Sequence, residues 1–76
     1  MTVIVYTKNN CPPCNATKRF LNNNGIGFEE RNTESDPVYR EEALETGFLQ
    51  TPIVVTSDDA WSGHNPTKLN LLKGDR

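Results

Sequence analysis

The sequence predicts an α/β fold, a four-stranded mixed sheet carrying three helices in the order β-α-β-α-β-β-α. Two β-branched runs, "TVIVYT" at 2–7 and "TPIVVT" at 51–56, read as strands. A capping residue followed by proline marks helix starts at Asp36–Pro37 and Asn65–Pro66. A strand, a helix and a strand in succession imply a right-handed crossover and a parallel pair. The tight link between the last two strands implies an antiparallel hairpin. Helices are expected on both faces of the sheet.

Each element follows from local pattern. Residues 2–7 are apolar without alternation, as in a strand covered on both faces. Lys8 to Asn10 is a polar loop, and a helix begins at Cys11 or Pro12. Ala16, Thr17, Phe20 and Leu21 share one face of that helix, while Lys18, Arg19 and Asn22 face water. "NNNG" at 22–25 stops it, because Gly25 adopts positive φ at little cost. Phe28 to Arg31 is a weaker strand. The second helix runs from Pro37 to about Thr46, ends at Gly47, and turns Val38, Tyr39, Ala43 and Leu44 inward. Thr51 to Thr56 is the third strand, Ser57 to Asp59 the turn, and Ala60 to Ser62 the last strand. Asn65 caps a final helix that buries Leu69 and Leu72.

At 76 residues the chain suffices for one small domain, 1–76, with a thin core. A net charge of −2 lacks the clustered basic surface that nucleic acid demands. Met1 to Tyr6 has neither a basic n-region nor a long apolar stretch, so it does not read as a signal peptide. No run approaches membrane-spanning length. The expected location is the cytoplasm, where thiols are kept reduced and a surviving disulfide is usually transient and catalytic.

The two cysteines, Cys11 and Cys14, flank Pro12 and Pro13. A disulfide between them closes too short a loop to stabilise the fold much. A structural metal site needs more ligands than these two sulfurs and the single histidine, His64, can supply. His64 itself reads as a loop or surface residue rather than a ligand or base. Thiol–disulfide exchange fits better. With Cys11 as N-cap, its sulfur meets the positive end of the helix dipole and the orphan N–H groups of the first turn. Cys14, at N3, then sits one turn away as a more buried resolving thiol beside an exposed, activated Cys11. Neither proline carries an N–H. A Cys11 thiolate is therefore expected to draw its backbone donors from Cys14 and Asn15. Lys8 adds a nearby cation or is simply solvated.

A strand running into C-x-x-C at a helix start, with a later strand opening on Thr51–Pro52, resembles the thioredoxin superfamily across essentially the whole chain. In size and element order the chain is similar to glutaredoxins, and it most resembles the NrdH-redoxin branch. That likeness rests on "VYTK" at 5–8, "GFLQTPIVV" at 47–55 and "WSGHNP" at 61–66. It implies a thioredoxin fold of minimal glutaredoxin type, with Cys11 attacking, Cys14 resolving and Pro52 cis beside the dithiol. It also implies a monomer with no bound cofactor beyond the Cys11–Cys14 pair. Thioredoxin reductase is implied as NADPH-linked electron source and class Ib ribonucleotide reductase as acceptor. Lys8, Pro12, Pro13, Thr51, Pro52, Trp61, Ser62 and Gly63 are the implied partner-facing residues, although Trp61 reads slightly better as core or loop support. The branch more often carries Val-Gln or Met-Gln between the cysteines, and Phe-Arg where His64 and Asn65 stand here. A glutathione-dependent glutaredoxin is the first alternative, because Lys8 and Thr51 suit a peptide ligand; the Gly-Gly-x-x-Asp segment of that group is replaced by residues 61–66. A metal-binding or non-catalytic interaction module is the second.

Overall fold

A computed structural model describes residues 2–74. The elements are β1 (Ile4–Thr7), α1 (Pro12–Asn23), β2 (Glu29–Asn32), α2 (Pro37–Glu45), β3 (Ile53–Val55), β4 (Ala60–Ser62) and α3 (Pro66–Gly74), in the order the sequence predicts. β1 and β3 are shorter than the β-branched runs that contain them. The sheet order is β2-β1-β3-β4. β1 runs parallel to β2, with Val5 opposite Glu30, and antiparallel to β3, with Val5 opposite Val54. β4 closes the hairpin antiparallel to β3, placing Trp61 opposite Val54.

The antiparallel β1–β3 pairing positions the site. Tyr6, near the end of β1, lies opposite Ile53, the first residue of β3. The segment leaving β1 (Lys8 to Cys11) and the segment entering β3 (Thr51–Pro52) therefore meet at one end of the sheet.

Period-2 alternation along the strands divides the core. Val3, Val5, Val54 and Trp61 pack with Leu21 of α1 and Leu69 and Leu72 of α3 on one face. Tyr6 and Ile53 pack with Ala43 of α2 on the other. The helices thus cover both faces, as expected. α1 buries Cys14, Thr17 and Leu21. Its C-terminus closes with Gly25 at φ 65°, and the Ile26 N–H donates to the Leu21 carbonyl at 2.9 Å, so the predicted glycine stop is realised. Lys18, expected in water, is half-buried instead and pairs with Glu30 at 3.0 Å.

α2 departs most from the expected pattern. Ala43 is buried, but Val38 and Leu44 are 59% and 57% exposed. The inward face is set by a polar anchor. Arg31 of β2 donates to Glu42 Oε1 at 2.7 Å, and the Tyr6 hydroxyl donates to the same oxygen at 3.1 Å. The Arg31 guanidinium also lies 5.5 Å from the Tyr39 ring centroid. Holding Tyr39, Glu42 and Ala43 toward the sheet rotates Val38 and Leu44 outward, because positions i, i+3 and i+4 share one helix face.

Candidate active site

The active-site turn starts where β1 ends. Thr7 is fully buried, and its carbonyl accepts from both the N–H and the hydroxyl of Thr33. The following loop is fixed from the side: the Asn9 N–H donates to Glu34 at 2.7 Å, and the Asn32 amide donates to Asn9 Oδ1 at 3.0 Å. Asn10 then takes φ 55°, a left-handed conformation that asparagine tolerates better than most residues. This single residue reverses the chain into α1. The local signal for it is the "NNC" run at 9–11, which sets asparagine at the turn position.

Cys11 is the N-cap of α1, with φ −120° and ψ 93°, and its side chain accepts from the backbone of Cys14. The Cys14 N–H to Cys11 Sγ distance is 3.2 Å. Pro12 and Pro13 occupy the first two helical positions, so Cys14 at N3 is the first residue that can donate. The expected second donor, Asn15, goes elsewhere: its N–H bonds the Cys11 carbonyl at 3.0 Å as the first helical hydrogen bond. No acidic residue stands in the first turn to offset the positive end of the helix. The two cysteines form a disulfide with Cα atoms 5.2 Å apart.

Cys11 is not exposed, against the expectation from its N-cap position: it is 3% exposed and Cys14 1%. The strand-entry segment covers the Cys11 sulfur. Thr51 Oγ1 lies 3.5 Å and the Thr51 carbonyl 3.9 Å from Cys11 Sγ. A disulfide sulfur carries no proton, so here the Thr51 hydroxyl is the group able to donate. The Thr51–Pro52 peptide is cis, as the resemblance implied, and Pro52 is buried.

The 61–65 segment braces this arrangement. Ser62 Oγ donates to the Gln50 carbonyl at 2.6 Å. The Gly63 N–H, at φ +86°, donates to the Pro52 carbonyl at 2.8 Å. Trp61 is 6% exposed within the α1/α3 core, so it serves as core and offers no exposed docking platform. Pro12 and Pro13 are exposed at the rim. Lys8 is exposed and, with Arg40, Leu49 and Thr51, lines a groove of about 170 Å³. Arg40 and Leu49 were not foreseen, since neither belongs to a motif; Leu49 is 90% exposed. His64 is exposed, as expected, but its Nδ1 lies 2.9 Å from the hydroxyl of buried Thr17, a contact that sequence spacing does not reveal. Among the described residues, no three His, Cys, Asp or Glu side chains converge on a metal-binding position. No helix among them is long and apolar enough to cross a membrane.

The sequence pattern of the glutaredoxin family matches residues 3–61. The glutaredoxin-like protein NrdH of Escherichia coli K12 is 40% identical over 72 residues, which span 95% of this chain and 89% of that protein. NrdH of Lactococcus lactis subsp. lactis is 39% identical over 70 residues, spanning 92% of this chain and 97% of that protein. The solved structure of the E. coli NrdH-redoxin superposes with a TM-score of 0.89 at 40% identity, covering 95% of each chain. Sheet order, helix count and the dithiol turn agree with a thioredoxin-like fold. The chain therefore belongs to the glutaredoxin family, as an NrdH-like thiol–disulfide oxidoreductase whose redox-active pair is Cys11–Cys14.

Proposed function

We propose that the protein is a cytoplasmic, monomeric dithiol electron donor, a single domain over 1–76. In this reading an NADPH-dependent thioredoxin reductase reduces it, and it passes electrons to a class Ib ribonucleotide reductase. The observation that carries the choice of electron source is the 61–65 segment. Its Gly63 N–H is already committed to the Pro52 carbonyl, and Ser62 to Gln50. No acidic side chain stands in this segment to meet a glutathione amine. The relatives named NrdH support the same choice, as does the thioredoxin-like activity profile described for the E. coli NrdH-redoxin.

The exchange runs in two steps. The Cys11 thiolate attacks one sulfur of the acceptor disulfide; that S–S bond breaks, a Cys11–acceptor mixed disulfide forms, and the other acceptor sulfur leaves as a thiolate. The Cys14 thiolate then attacks Cys11 Sγ. The mixed disulfide breaks, the second acceptor thiolate is released, and the Cys11–Cys14 disulfide forms, so two electrons pass to the acceptor. The Cys14 N–H and the N-terminal end of α1 stabilise negative charge on Cys11 Sγ. Thr51 and Pro52 offer a backbone edge beside the sulfur, and Lys8, Pro12, Pro13, Ser62 and Gly63 surround the approach.

Lys8 and Thr51 both line the groove, which favours the rival reading of a glutathione-dependent glutaredoxin. Steady-state NADPH oxidation decides between them, with insulin or ribonucleotide reductase as acceptor. Thioredoxin reductase is expected to sustain efficient turnover, and glutathione with its reductase little or none. A faster rate with glutathione makes this protein a glutaredoxin in function.

A further inference from the structure

We propose that His64 is a positioning residue for disulfide exchange, acting through Thr17. Thr17 follows Cys14 by three positions on α1 and shares its buried face. Its hydroxyl is fully enclosed and meets His64 Nδ1 at 2.9 Å. The proton comes from Thr17 or from the imidazole according to tautomer, so the bond persists in either ring state.

His64 is joined to the other side of the site through its own backbone. Gly63, immediately before it, donates to the Pro52 carbonyl; Ser62 donates to the Gln50 carbonyl; and Thr51, between these two acceptors, touches Cys11 Sγ. The contacts close a ring: Cys11, the first turns of α1, Thr17, His64, Gly63, Pro52, Thr51 and back to Cys11. Every link except Thr17–His64 is backbone, a motif residue or the dithiol itself. Together with the core packing of Leu21 against Val54 and Trp61, this side-chain bond sets how far the dithiol helix stands from the Gln50–Pro52 edge. An incoming disulfide must enter that gap with its sulfurs in line with Cys11 Sγ, and small misplacements of reacting groups cost large rate factors. His64 touches no reacting atom; it holds the gap.

The reaction with a small aromatic disulfide tests this without any protein partner, so its outcome is independent of the proposed reductase and acceptor. Thr17→Val and His64→Phe should each lower the second-order rate of the reduced protein about three- to tenfold, the value of one ordinary hydrogen bond. The double variant should be no slower than the slower single. Thr17→Ser should restore the rate. His64→Asn should also restore it, since an asparagine side-chain amide places a polar atom where Nδ1 stands, whereas His64→Gln should not. A merely structural role would lower the melting temperature and leave the exchange rate of the folded variants unmoved; that result overturns the proposal. Additive losses in the double variant overturn it too. Restoration by Gln but not Asn overturns it by pointing to Nε2 instead. Should Thr17→Val fail to fold, the Asn–Gln contrast at exposed position 64 still decides.

Discussion

At the scale of single residues, the first turn of α1 sets the reactivity of Cys11. An N-cap side chain normally accepts from the N–H groups of N2 and N3. Here N2 is Pro13, so the turn's backbone donor to the sulfur is the Cys14 N–H, at 3.2 Å. Replacing Pro13 by glutamine returns an N2 donor aimed at the same sulfur. Hydrogen bonds to the charged form favour it, so the Cys11 pKa should fall relative to the parent protein. A more stable thiolate stabilises the dithiol state, making the variant the stronger oxidant. Thiolate absorbance against pH, paired with equilibration in a dithiothreitol buffer, measures both quantities. A pKa that stays or rises would show that backbone donors in this turn do not govern the thiol.

At the scale of elements, α2 tests whether apolar content or polar anchoring orients a helix. The outward Leu44 is 57% exposed while Ala43 is 7% exposed against Tyr6 and Ile53. Leu44→Ala should therefore shift stability by less than about 0.5 kcal/mol, as at other exposed sites. Ala43→Leu forces methyl groups into packed space and should cost about 1–3 kcal/mol. For a domain of this size each kcal/mol lowers the melting temperature by about 4–8 °C. Thermal melts followed by circular dichroism separate the two. A large loss in Leu44→Ala with a small one in Ala43→Leu would mean that α2 sits with the apolar-pattern face inward. On the opposite face, Leu21→Ala removes a side chain with 0% exposure and should cost about 2–5 kcal/mol, enough to unfold much of so small a protein.

At the scale of the whole molecule, carboxylate–cation pairs tie separate elements together and set the acid limit of stability. Burial pushes the Glu30 carboxyl up, but hydrogen bonds from Thr7 and Lys18 and the Lys18 charge outweigh it and hold the group below its ordinary 4.5. Those contacts join β2 to β1 and α1. Within β2 the hydrogen bond from Arg31 lowers Glu29, and between the hairpin turn and α3 that from Lys68, with the Ala60 N–H, lowers Asp59. A carboxyl with a depressed folded-state pKa stabilises fully above its unfolded value and loses that contribution as pH falls through the folded one. Melting temperature should thus hold at neutrality and decline as pH falls below the ordinary carboxyl value of 4.5. Glu30→Gln should lower the neutral value and flatten the decline. Melts of both proteins across that range check the sign; an equal slope in the variant would remove Glu30 from the acid transition.

The residues alone were enough for the element order, the cap at Cys11, the Gly25 stop, the parallel crossover and the dithiol chemistry. Each depends on a few neighbouring residues: a capping side chain, a proline without an N–H, a period of two or 3.6, a spacing of three between sulfurs. Strand order, by contrast, is a matter of which strands pair across the chain, and only the fold put β1 beside β3 and so brought Thr51 to Cys11. The same holds where local pattern misled. Leu44 looks inward until Arg31, on strand β2, claims Glu42. Cys11 looks exposed until the Thr51–Pro52 segment covers it. His64 stays at the surface as its sequence suggests, but its bond to Thr17, 47 positions away, exists only in the fold. In all three the deciding neighbour is distant in sequence, and a lone chain reading carries no signal for contacts formed only when the sheet closes.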